Sequence, residues 1–126
     1  MNRNARVASI LSLLLLLSLA VAASAKSETA TVKGYVLDSA CAFTKNLDKP
    51  ISKSCARACA RAGSPLVLLT DDGTIYWPIA NTTPATGQNK RLVPFAGQRV
   101  IAKGEVFERS GSRAIVIDTI EAEHGK

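Results

Sequence analysis

Hydrophobic and polar positions alternate with a period of two over TATVKGYVLD. Val32, Gly34 and Val36 alternate there with Lys33, Tyr35 and Leu37, which predicts a strand. Residues 66–69 (LVLL) predict a second strand. Asp71-Asp72-Gly73 then predicts a turn, and residues 74–79 a returning strand. Pro78 places that third strand at an edge or an early end, because proline cannot donate to a ladder. After residue 98 the chain alternates again. Val100, Ala102, Gly104 and Val106 form one strand, Ser110-Gly111 the turn, and residues 114–120 the last strand. Both faces of this hairpin are partly apolar, so periodicity alone leaves the inward face open. Gly34 inside the first strand predicts a bulge or a sharp coil, as small barrels require.

Two stretches break the pattern. Residues 41–50 (CAFTKNLDKP) read as an irregular polar loop. Ser52 then caps a short Ala/Arg/Lys-rich helix over residues 53–62, stopped by Gly63 and Pro65. So short a helix is marginal alone and must dock on something. Residues 80–98 predict a long loop in which Leu92, Val93 and Phe95 plug one barrel end through a short helical turn. The expected fold is mainly β: a small five-stranded OB-like (oligonucleotide/oligosaccharide-binding-like) barrel with one short helix between strands 1 and 2. Closure also removes exposed sheet edges.

Composition adds a compartment. Arg3 and Arg6 precede an apolar run from Val7 to about Ala22, and Ala23-Ser24-Ala25 is a small-x-small cleavage site. Residues 1–25 therefore read as a signal peptide and 26–126 as one domain, periplasmic or secreted, with no stable membrane span after cleavage. Loss of two arginines lowers the formal charge from +6 to about +4, with Lys and Arg scattered among acids. Nucleic-acid binding would need basic and aromatic residues gathered on one face, so it is not expected.

Three cysteines carry the candidate chemistry. Cys55 and Cys59 share a helix face, and Cys41 lies upstream. A thioredoxin-like centre uses Cys-x-x-Cys, so the Cys-x-x-x-Cys spacing argues against a catalytic dithiol. A c-type haem needs Cys-x-x-Cys-His, which is absent. No cofactor is expected. A metal held by Cys41, Cys55 and Cys59 stays open as an alternative, with Asp38 a possible oxygen ligand and His124 remote in the tail. The favoured expectation is a disulfide joining Cys41 with Cys59, or else Cys41 with Cys55. It would close a loop of 15 to 19 residues. In the chain-entropy account such a bond contributes roughly 3 kcal/mol. The remaining thiol could pair covalently with a partner. Asp38 is expected to accept backbone hydrogen bonds in the turn after strand 1. Asp71-Asp72-Gly73 is expected to be a hairpin turn rather than a calcium loop. Trp77 beside Arg57 or Arg61 is a possible binding patch.

Four pieces stand in order: Gly34-x-Val36-x-Asp38-x-x-Cys41, Cys55-x-x-x-Cys59-x-x-x-Gly63-x-Pro65, Leu68-Leu69-Thr70-x-Asp72-Gly73, and Phe95-Ala96-Gly97-x-x-Val100-x-x-x-Gly104. Together they resemble small exported bacterial OB-like barrel proteins, mostly uncharacterised. The resemblance implies export and fold, but no particular activity. Lacking a catalytic set, the chain is expected to be a non-enzymatic binding or accessory module of the cell envelope, its partner an unknown protein or small polar ligand. A thiol-dependent redox or metal-binding protein and a purely structural envelope component are the alternatives.

Overall fold

The computed structural model describes residues 26–48 and 50–125. The expected signal peptide lies outside them. Five strands run in chain order: β1 (Lys26–Asp38), β2 (Leu66–Leu69), β3 (Ile75–Pro78), β4 (Arg99–Arg109) and β5 (Ser112–Ala122). They close into a barrel in the order β1-β2-β3-β5-β4, the OB-like arrangement expected from the sequence. All neighbours are antiparallel except β3 and β5, which pair parallel from Tyr76–Arg113 to Pro78–Ile115. Pro78 is thus at the end of its strand, as expected.

β1 is the longest strand because it serves two neighbours. Residues 26–35 pair with β4, and residues 35–38 pair with β2. The changeover falls at Tyr35, beside Gly34. A Cβ on Gly34 would stand 2.5 Å from the Leu69 carbonyl oxygen, so the coil of β1 brings two backbones too close for any side chain. Gly104 does the same beside a register shift between β4 and β5, where a Cβ would meet the Val116 oxygen.

The inward face is now assigned. Val32, Val36, Leu68, Val100, Ala102, Val106, Ile115 and Ile117 fill the barrel. Three short helices add to it: α1 (Ser39–Lys45), α2 (Lys53–Arg61) and α3 (Asn89–Leu92), the last running into a 3-10 turn at Val93–Phe95. Ala56 and Ala60 of α2 pack on the core, and Leu92 is fully buried there. The expected plug is in place. Arg91 donates to the Ile117 and Asp118 carbonyls, and Asn89 bonds Ser64 and Leu66, tying this loop to the barrel.

A second apolar cluster lies outside the barrel. Leu37, Val67 and Leu69 point away from the core and are covered by Ala42 of α1, Leu47 and Ile51. Hence all four residues of β2 are buried, which explains the unbroken LVLL. The stretch read as an irregular polar loop is corrected here: residues 39–45 are helical. Asp38 is its N-cap, and the Asp38 Oδ1 accepts from the Cys41 amide at 2.8 Å. Two helices, rather than one, therefore separate β1 from β2.

Gly34→Ala should lower stability by roughly 1–3 kcal/mol, the usual range for an overpacked site. Urea unfolding would check this. An unchanged midpoint would mean that β1 and β2 are not this close.

Candidate functional site

The loop-to-helix junctions build the site. β1 ends at Asp38, and its capping bond starts α1 so that Cys41 falls in the first turn. Ser52 caps α2 by accepting from the Cys55 amide at 3.2 Å, which places Cys55 in that first turn and Cys59 one turn on. Residues four apart share a helix face. Leu37, Asp38 and Cys41 thereby meet Cys55, Ala56 and Cys59 across a pocket of about 230 Å³, with Lys45, Pro50, Ile51 and Ser52 completing the lining. Its walls are mainly apolar.

All three cysteines are free thiols in this structure. The expected Cys41–Cys59 bond is not formed in it, yet both residues face the same space. Burial pushes the Cys41 thiol above its ordinary value, and the nearby Asp38 carboxylate pushes it further. Cys59 is raised by burial and then by its neighbours Cys55 and Asp38. Cys55 is the exposed member. Among the described residues, no group of three or more His, Cys, Asp or Glu is arranged to hold a metal ion.

Asp38 is the one buried charged residue of the described chain, only 4% exposed. Oδ1 is occupied by the Cys41 amide. Oδ2 is buried and has no partner in hydrogen-bond geometry. Burial pushes the carboxyl pKa up, but the neighbouring Ser64 side chain and the Cys41 and Ala40 groups outweigh it, and the net direction is downward. The expected role in fastening the cysteine loop is fulfilled as a helix cap. What the sequence did not reveal is that one oxygen is left over.

For the suggested patch of Trp77 with Arg57 and Arg61, the structure gives the surroundings of each member. Trp77 is 36% exposed, but its ring meets Phe43 of α1 at 6.2 Å between centroids. The cation–π pairs found among the described residues are Arg99 over Tyr35 and Arg113 over Tyr76. Arg57 is half-buried and Arg61 exposed on α2. Phe43 falls in the stretch that the sequence marks as a loop, so only the helix Ser39–Lys45 places it. Asp71-Asp72-Gly73 is a hairpin turn: Asp72 accepts from Thr70 and from the Thr74 amide, and Arg99 joins Asp71 to Glu123.

Two outcomes are expected. In reduced protein near pH 8, a small alkylating reagent should modify Cys55 at least about tenfold faster than Cys41 or Cys59, read by peptide mass, since reactivity follows exposure and thiolate content. Equal rates would contradict the arrangement. Asp38 titrates lower when folded than when unfolded. Its stabilising share is therefore complete above the unfolded carboxyl value and is lost as pH falls through the folded one, below about pH 4. Asp38→Asn should flatten that part of an acid-unfolding profile while keeping the cap, whereas Asp38→Ala should cost about 1 kcal/mol at neutral pH.

Compared with family models, with curated proteins and with solved structures, the chain finds no match.

Proposed function

We propose that this chain is an exported binding or accessory module of the cell envelope, and that its ligand seat is the pocket between α1 and α2. One observation carries the reading. Two segments that are separate in sequence, residues 37–41 and 55–59, converge on one mainly apolar concavity whose lining includes a buried carboxylate, Asp38. Ligand sites commonly have this composition, apolar walls with a few placed polar groups. The thiols support binding over thiolate chemistry. A nucleophilic cysteine has a lowered pKa, and Cys41 and Cys59 are shifted the other way. The leader-like residues 1–25 and the resemblance to small exported OB-like proteins support the location.

Outside the cytoplasm, Cys41 would join Cys59 and fix the spacing of the two helices that flank the pocket, leaving Cys55 at its mouth. A second reading, a thiol-dependent redox protein, is favoured by Cys41, Cys55 and Cys59 all lining the same pocket.

Mass mapping without reductant separates the two. The binding module should show a Cys41–Cys59 bond and one free Cys55. A bond that moves among all three sulfurs during turnover of a disulfide substrate would favour redox exchange. Cys41→Ser should then lower the stability of the oxidised protein by roughly 3 kcal/mol, with Cys55→Ser near neutral. Binding itself is tested by titrating mixtures of small organic probes into isotope-labelled protein. Amide shifts should gather at Asp38, Cys41, Cys55 and Cys59 and vanish after Cys55 is capped with N-ethylmaleimide. A purely structural component would show no such response.

A further inference from the structure

We propose that the pocket takes a small organic cation, a protonated amine on a short apolar body, with Asp38 as its counter-ion. This rests on the pocket being the ligand seat and names the chemistry that the seat selects.

The argument starts from the unused acceptor. Asp38 is more than nine-tenths buried, it lines the pocket, and its Oδ2 has no partner in hydrogen-bond geometry, although the Ser64 side chain lies nearby. Buried polar groups in folded proteins are almost always satisfied, and a buried charge is normally paired. Among the described residues, the ion pairs join Lys33, Arg99 and Arg113 to Asp71, Glu108 and Glu123, and none involves Asp38. The carboxyl lies below its ordinary value, so it is ionised at neutral pH. A group entering the pocket would therefore meet a negative charge among mainly apolar walls.

Three ligand classes can be compared against that site. An anion would be repelled by Asp38. A neutral apolar molecule would fill the walls of Leu37, Pro50 and Ile51 but leave Oδ2 unpaired. A protonated amine offers up to three N–H donors and a compensating charge, while its alkyl part covers the walls. The volume of about 230 Å³ suits a body of a few carbons. Lys45 also lines the pocket and its charge acts on Cys41, but it is exposed and makes no ion pair with Asp38. Metal cations are less suited, since no group of three ligating side chains is arranged around one point among the described residues.

The test is an amide-shift titration of the purified protein at pH 7 with butylammonium chloride, butan-1-ol and sodium butyrate at matched ionic strength. The thiol state of each sample is checked by mass. Butylammonium should give saturable shifts at Asp38, Cys41 and Cys55, with butan-1-ol and butyrate at least about tenfold weaker. Asp38→Asn keeps a capping side chain and removes the charge, and it should bring the ammonium response down toward that of butan-1-ol. Should that variant fail to fold, acidifying the wild type through the Asp38 titration gives the same comparison. Equal binding of the ammonium and the alcohol, or undiminished ammonium binding by Asp38→Asn, overturns the inference and leaves the pocket as a seat for neutral ligands. No response from any probe at these residues overturns the inference and the binding reading together.

Discussion

One strand has to bond along both of its edges. β1 gives its first residues to β4 and its last to β2, and the exchange at Tyr35 is possible only because Gly34 lets the Leu69 backbone approach. Everything else in the molecule follows from that coil. The barrel closes because β1 reaches both neighbours, and a closed barrel has no free sheet edge to protect. The last turn of the coil also carries Asp38 out of the barrel at the point where α1 must start. The site is thus a product of the closure.

The helices at that end have a shared physical logic. Each is too short to persist alone, and each begins with a side-chain cap: Asp38 for α1 and Ser52 for α2. Each then lays small residues against the barrel, Ala42 over the outer face of β2 and Ala56 and Ala60 on the core. Small residues permit close approach, and the remaining space between the helices is the pocket. Two of the thiols facing it are raised in pKa by burial and by the charges around them, which keeps sulfur available as a bridge or a soft wall more than as a nucleophile.

Much of the fold was legible because the strands carry it openly. Alternation marked β1, β4 and β5, and the Asp71-Asp72-Gly73 turn marked the β2–β3 hairpin. Leu92, Val93 and Phe95 marked the plug. The inward face of the β4–β5 hairpin was not legible, because apolar residues such as Ile101 and Phe107 also stand on its outer face, opposite Val100, Ala102 and Val106. α1 was missed for a related reason. Asp38-Ser39 is as good a turn as it is a helix start, and only the hydrogen bond from the Cys41 amide to Asp38 Oδ1 decides between them. That omission hid Phe43, and with it the partner of Trp77. The three cysteines were legible as a group. Their meeting with an unpaired carboxylate oxygen was not, since hydrogen-bond satisfaction has no pattern in a linear chain.

The convergence of Cys41 with Cys55 and Cys59 is the claim on which the functional account stands, and a short bifunctional thiol reagent measures it directly in folded, reduced protein. Peptide mapping should recover links between Cys41 and a cysteine of α2, and those links should disappear when the protein is unfolded in urea. Recovery of Cys55–Cys59 links alone, with Cys41 modified only singly, would contradict the account.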